Sequence, residues 1–335
     1  MGCEDNAIFY FVFASVTFFV FMDMSFFGEM QEQGLAANSS AVKTSKSRFP
    51  IKSVKLRMQD HISHYVWLPL SESVDTKYEI SKYSWVSPNL ISGLHLIVAI
   101  IAARLIYEDN IWVRRIGCIV FEFRCFLDIF DGVVYRAQSN MKTSFVNGWG
   151  TYGYFIDAAA DFIGCILVLC ACILYFMKHP PVKYREFSNE DYETALMIDY
   201  RGNLNSQFKE KLVVFYENKK KVLIMMIAFG VQVSARSFFW DHFLYEYHTL
   251  LEVKSDAISP TLQAEALSFH STWAALWLWK ICAADIFLEL TIVSIFFNKL
   301  WKWVVLVNYA GPPALAIVVV LSQLHVIMVR QYLGV

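Results

Sequence analysis

Asp128-Ile129-Phe130-Asp131-Gly132-Val133-Val134-Tyr135-Arg136 and, after the sixteen residues 137–152, Gly153-Tyr154-Phe155-Ile156-Asp157-Ala158-Ala159-Ala160-Asp161 are the two segments that decide how this chain is read. Each carries two aspartates at the end of a long apolar run, where an unpaired charge is expensive and usually functional. Asp128 and Asp131 are three apart and Asp157 and Asp161 four apart, so each pair shares one face of a helix. Packed as a hairpin, the two helices bring four carboxylates together near one membrane boundary, and such a cluster could not stay ionised without cations. The donors are oxygen only, with no His or Cys nearby, which suits a hard ion, Mg²⁺ or Mn²⁺, rather than zinc.

Working outward, the composition agrees with a membrane setting. The chain is 56% hydrophobic, and several apolar runs reach the length of about 18 residues or more that a bilayer demands of a helix. The sequence therefore predicts an all-α integral membrane protein with seven transmembrane helices. A net charge of -1 gives no reason to expect a nucleic-acid partner. Six of the seven cysteines lie in apolar runs and Cys3 is near the N-terminus, so no disulfide framework is expected.

The helix before the first aspartate pair spans about 112–131, and the one before that, about 88–107, is opened by a capping Ser87 and by Pro88 in its first turn. Residues 132–150 read as a flexible cover and 151–177 as the helix of the second pair. Further spans are expected at 221–240, 272–297 and 301–329, the last kinked at Gly311-Pro312-Pro313. Residues 7–27 read as an uncleaved anchor, because no small-residue cleavage site follows. Met1-Gly2-Cys3 is a weak match to a lipidation start, since Asn6 stands where Ser or Thr is preferred. Between anchor and core, Ile51, Val54, Met58, Ile62 and Tyr65 recur at helical spacing beside basic residues. That pattern fits a helix lying on the membrane surface, and equally one packed on the protein. The expected organisation is an anchor (1–27), a segment 28–84 carrying that amphipathic helix, and a six-helix domain (85–330).

Seven spans put the aspartate ends on the same side as 28–87 and 241–271. Basic residues hug the opposite ends: Arg114, Arg115, Lys178, Lys219 to Lys221, Lys299 and Lys302. By the positive-inside rule that opposite side is cytosolic, so the aspartates face a lumen. Asn38-Ser39-Ser40, a glycosylation acceptor pattern, falls on the same lumenal side.

With these residues in place, the motif resembles the hallmark of the CDP-alcohol phosphotransferases, and the likeness covers roughly 85–330, including the Pro88-Asn89 opening. Two departures stand out: Tyr135 where that family usually has Ala, and a gap of sixteen residues before Gly153, about twice the common one. Both departures are similar to the insect ceramide phosphoethanolamine synthases, an offshoot held to work on the lumenal side of the Golgi. The resemblance implies that Asp128, Asp131 and Asp157, with Asp161 beside them, hold two divalent ions, Mn²⁺ before Mg²⁺. It implies Asp161 as general base, Gly132 and Gly153 as points of close approach to the nucleotide, and Arg136 as a phosphate ligand. The implied donor is CDP-ethanolamine and the acceptor ceramide, drawn from the membrane lipid, with CMP released and a homodimer as the assembly. A diacylglycerol ethanolamine- or cholinephosphotransferase is the nearer alternative, and a non-catalytic seven-helix receptor or transporter the remote one.

Other charged residues at membrane depth read less sharply. Arg124, four before Asp128, is expected to pair with that carboxylate. Glu122, Lys280, Asp285 and Glu289 fit either an internal ion network or the lining of a lipid pocket. His242, His248 and His270 are expected to be solvated loop residues, and Trp112, Trp240, Trp301 and Trp303 to belong to the interfacial belt.

Overall fold

The computed structural model describes residues 3–37, 53–139, 152–181, 206–254 and 258–335, with side chains described for 9–31 of the first segment and from 219 onward in the fourth. Asn38, residues 140–151 of the loop after the first aspartate pair, and residues 182–205 lie outside the described residues. The described chain is helical. Helix α1 is Cys3–Ala37; α2, Val54–Met58, leads through a π-turn, Ser63–Trp67, into α3, Leu68–Tyr78. Then come α4 (Pro88–Ile106), α5 (Ile111–Gln138), α6 (Tyr152–Lys178), α7 (Ser206–Leu251), α8 (Pro260–Ser268), α9 (His270–Cys282), α10 (Ala284–Phe296) and α11 (Leu300–Leu333).

Five stretches are long and apolar enough to cross a bilayer: Phe9–Gln31, Pro88–Ile106, Tyr152–Lys178, Lys219–Leu251 and Leu300–Leu333. Of the other expected spans, α5 has the length but carries seven charged side chains from Arg114 to Arg136, and α9 and α10 have 13 residues each. Rings at the two ends of α1 bracket that second pair. Phe27 meets His270 and Trp273 at 5.4 and 4.9 Å, whereas Phe11 meets Phe297 at 5.9 Å.

The elements that carry the aspartates are held close by small residues. Ser87 caps α4 by accepting from the Leu90 amide at 3.2 Å, with Pro88 as the first helical residue. A Cβ on Gly117 of α5 would lie 2.9 Å from the Leu105 Cβ and 3.0 Å from the Ile106 amide, so α4 and α5 touch backbone to backbone there. Ala99 and Ala102 of α4 are fully buried, the small-residue packing that membrane helices use in place of a hydrophobic drive.

Several expected boundaries move. α5 does not stop at Asp131 but runs two further turns, with Gly132 inside it. A mid-helix glycine costs roughly 0.5–1 kcal/mol, which the burial of Val133 and Val134, at about 1.5–3 kcal/mol each, outweighs. α7 extends well past 240, because Phe243, Leu244, Tyr247, Leu250 and Leu251 fall on one buried face. The expected 272–297 helix is broken at Ala283, whose backbone is extended (φ -60, ψ 153). α11 stays helical through Pro312 and Pro313. Of the two readings of the segment before α4, the packed one holds: Val54 and Met58 are fully buried against Phe243, Tyr247 and Leu276. Trp240 and Trp303, expected at the interfacial belt, also make contacts inside the protein. Their indoles donate to the Met58 carbonyl and to Thr291 Oγ1, each at 3.0 Å.

α1 is fastened to the rest through one carboxylate. Asp23 Oδ1 accepts from the Tyr65 hydroxyl (2.5 Å) and the Lys280 ammonium (3.1 Å), and Oδ2 faces His61 Nε2 (2.8 Å) and accepts from the Trp277 indole (2.7 Å). Lys280 also reaches His64 Nδ1 at 3.0 Å and the Tyr65 hydroxyl at 2.9 Å. Lys280 therefore belongs to this junction and not to a network with Asp285 and Glu289; Glu122 and Glu289 lie against each other instead.

Candidate active site

Three helices meet at the aspartates. α5 presents Asp128 and Asp131 one turn apart, α6 presents Asp157 and Asp161, and α4 lays Ser92 and His95 against them. One ligand atom from each of His95, Asp128, Asp131 and Asp157 lies within 4.8 Å of all the others. His95 Nε2 is 3.8 Å from Asp157 Oδ1, and Ser92 Oγ donates to Asp131 Oδ2 at 2.8 Å. Arg124 pairs with Asp128 Oδ2 at 3.9 Å, the partner expected from spacing, and forms a closer ion pair with Asp161 Oδ1.

The cluster carries more negative charge than its surroundings answer. Asp128, Asp131 and Asp157 bring ligand atoms within 4.8 Å of one another, and two charged carboxylates about 4 Å apart repel by about 4 kcal/mol at an effective dielectric of 20. Both ring nitrogens of His95 and Asp157 Oδ1 are buried without a hydrogen-bond partner among the described residues. A cation would take the lone pairs of Asp157 Oδ1 and of one His95 nitrogen, so the residues present fit a divalent ion.

Asp128, Asp131, Asp157 and Asp161, with Arg124, line a cavity of about 410 Å³. Gly132, Arg136 and Tyr154 share that wall, and Lys55 and Gln59 reach it from α2 and the turn after it. Asp241 of α7 and Asp285, just after the Ala283 break, also line it. Burial and the Arg136 charge pull the Lys55 ammonium below the ordinary lysine range, opposed by Asp157, Asp128 and Asp241. An apolar pocket between α6, α7 and α10 adjoins the cavity, sharing Phe162, Cys165, Val233, Ser234 and Leu288 with it. A separate hollow of about 420 Å³ lies among Arg114, His179, Lys299 and Lys302.

The structure thus brings together Asp128, Asp131, Gly132, Arg136, Asp157 and Asp161. It does not bring Gly153 into the cavity lining: a Cβ there would lie 3.7 Å from Asn89 Oδ1, so this glycine faces the start of α4. Gly132 sits beneath its own neighbour, with a Cβ 3.3 Å from Arg136 Nη1. His242, His248 and His270 are helix residues away from the cluster, and His248 pairs with Glu252 at 2.7 Å. His95 overturns the oxygen-only reading. Its signal was present, an ionisable side chain at membrane depth three residues after Ser92 on the same helix face. Lys55 carried no such signal.

The family model for ceramide phosphoethanolamine synthase matches residues 48–334. The ceramide phosphoethanolamine synthase of Drosophila melanogaster is 29% identical over 286 residues, which cover 84% of this chain and 69% of that protein. No solved structure matches. The matched span begins before α2, so it includes Lys55 as well as the aspartate helices.

Proposed function

Because the chain belongs to the ceramide phosphoethanolamine synthase family and is a phosphotransferase, we propose that it moves phosphoethanolamine from CDP-ethanolamine to the primary hydroxyl of ceramide. CMP leaves. The observation that carries this reading is the convergence of Asp128, Asp131 and Asp157 on one point in the lining of a cavity. Asp128, Asp131 and Asp157, with Asp161 beside them, would hold one or two divalent ions, Mn²⁺ or Mg²⁺. When bound, such ions neutralise the phosphoryl oxygens and the departing CMP.

The remaining work falls to side chains. Arg124 pairs with Asp161 Oδ1, and the Asp161 carboxylate would accept the proton of the ceramide hydroxyl as the hydroxyl oxygen attacks the β-phosphorus. The O–P bond to ceramide forms as the bond to the CMP oxygen breaks. Base catalysis of this kind contributes about 10²–10⁴-fold. Arg136 and Lys55 stand on the cavity wall as cations for the donor's diphosphate. Ceramide would reach the cavity by way of the apolar pocket between α6, α7 and α10, with its hydroxyl at Asp161.

We take α5 and the α9–α10 pair as the sixth and seventh crossings. The ring contacts at both ends of α1 support this for the broken pair. Arg114, Lys299 and Lys302 around one hollow support a cytosolic assignment for the end away from the aspartates. The active site then faces the lumen of a secretory membrane such as the Golgi. Since Lys55 and Gln59 line the cavity, the segment before α4 works with the 85–330 domain as one catalytic unit.

The test offers ceramide and diacylglycerol together to the purified protein in detergent–lipid micelles, with CDP-ethanolamine and Mn²⁺, and reads products by mass spectrometry. Ceramide phosphoethanolamine, lost in Asp161→Asn, is the expected result. Phosphatidylethanolamine as main product would overturn the acceptor, and no CMP release from either lipid would overturn the donor.

A further inference from the structure

The aspartates belong to the motif, but His95 comes from α4 and lies outside it. We propose that His95 is a direct nitrogen ligand of the ion held by Asp128, Asp131 and Asp157, making a mixed imidazole–carboxylate shell that selects Mn²⁺ over Mg²⁺. The proposal rests on the reading of the cluster as a cation site.

Three observations carry it. The His95 side chain is fully buried, yet neither ring nitrogen has a hydrogen-bond partner among the described residues. The other buried histidines are answered: His61 by Asp23, His64 by Lys280 and His325 by the Tyr247 hydroxyl. A buried polar atom left unpaired costs about 1–3 kcal/mol, so a ring with two of them needs a compensating interaction.

The second observation is the separation. At 3.8 Å, His95 Nε2 is too far from Asp157 Oδ1 for a hydrogen bond. Two ligands that each stand ~2.0–2.2 Å from a shared ion are roughly 3–4.4 Å apart, depending on the angle between them. The 3.8 Å spacing falls inside that range, and the 4.8 Å limit on the whole group is a few tenths of an ångström outside it.

The third is the division of carboxylates. Asp161 is gripped by Arg124 and is not one of the four groups that converge. The fourth ligand position of this group is therefore filled by an imidazole and not by the last aspartate of the motif. Mg²⁺ favours oxygen ligands in a near-ideal octahedron, whereas an imidazole suits first-row transition ions. Of the two ions Mn²⁺ and Mg²⁺, this set fits Mn²⁺ better.

The experiment loads the full chain in detergent with Mn²⁺ alone and records electron spin-echo modulation from ¹⁴N coupled to the bound ion. Wild type should show ¹⁴N modulation that disappears in His95→Gln and in His95→Asp but persists in His325→Gln. Mn²⁺ affinity should fall about tenfold or more in His95→Gln. His95→Asp should recover binding with an all-oxygen shell and a smaller preference for Mn²⁺ over Mg²⁺. Bound Mn²⁺ without ¹⁴N modulation in wild type, or modulation that survives in either His95 variant, would overturn the proposal and leave the cation site standing. If wild type binds no Mn²⁺, the cation site itself falls and the ligand with it. Because the wild-type spectrum alone can overturn the proposal, and His95→Asp keeps a polar ligand in place, one unfolded variant does not remove the test.

Discussion

Two ionic clusters are buried among the apolar helices of this protein, and they differ in how completely their charges are answered. At Asp23 each carboxylate oxygen has two partners and the Lys280 ammonium reaches three groups. At the motif, three carboxylates converge with an imidazole that has no hydrogen-bond partner among the described residues. Both clusters centre on aspartate and histidine, but Asp23 and Lys280 are almost fully buried, whereas Asp128 and Asp157 are only partly so. A closed network describes a joint, and an open one describes a place kept ready for something else. The distinction yields experiments, because charge removed from the two clusters should move different quantities.

The largest effect is expected at the open cluster. Asp157→Asn should lower turnover about 10³-fold or more, the several kcal/mol that a metal contributes to a transition state. The midpoint of thermal unfolding, measured without added cation, should stay or rise, since one of three mutually repelling carboxylates is gone. A large fall in the midpoint would make the aspartates structural and erase the contrast.

Asp23→Ala should do the reverse. Breaking a buried pair leaves Lys280 charged and unanswered, which costs about 3–5 kcal/mol. The unfolding midpoint should fall, while activity per folded molecule holds. Asp23→Leu combined with Lys280→Met, which removes both charges, should regain most of the loss. If the double variant is no better than the single one, the packing of α1, and not its ion pair, holds the junction.

The two clusters were not equally legible. The aspartates were readable because spacings of three and four fix a helix face within a short stretch of chain. Asp23 lay unremarked inside the expected anchor, since its Lys280 partner is 257 residues away and periodicity carries no information over that distance. The break at Ala283 was hidden for a different reason, as alanine is the best helix former and local propensity argued for continuity. In α7 the pattern was present but masked. Asp241 and Glu246 suggested a loop, while Phe243, Leu244, Tyr247, Leu250 and Leu251 kept helical spacing on the opposite face. His95 was passed over because a single histidine in an apolar helix does not announce which neighbours it will meet.

Lys55 tests whether the open cluster extends beyond the motif. Its ammonium lines the cavity with Arg136, on a segment that no aspartate spacing pointed to. Lys55→Gln should raise the KM for the donor about tenfold, in keeping with roughly 1.5–3 kcal/mol for a hydrogen bond to a charged group, with a smaller change in kcat. A fall in kcat with KM unchanged would move Lys55 from donor binding to the chemical step.

The smallest effect marks the floor of the comparison. Lys82 and Glu79 form an ion pair at 2.6 Å, shorter than the 2.8 Å between His61 and Asp23, yet both side chains are mostly exposed. In water the Coulomb gain is nearly matched by lost hydration and side-chain entropy, and such pairs contribute about 0–1 kcal/mol. Lys82→Gln should therefore leave the unfolding midpoint and turnover within error of wild type, and raised salt should change neither. Distance alone would rank this pair above the Asp23 junction; burial reverses the ranking, because only a charge withdrawn from water needs its partner. A clear loss of stability in Lys82→Gln would mean that the turn at Glu79, where the backbone takes a left-handed conformation at φ 52, depends on its side-chain contact. The contrast between closed and open clusters would then have to be drawn on the surface as well as in the core.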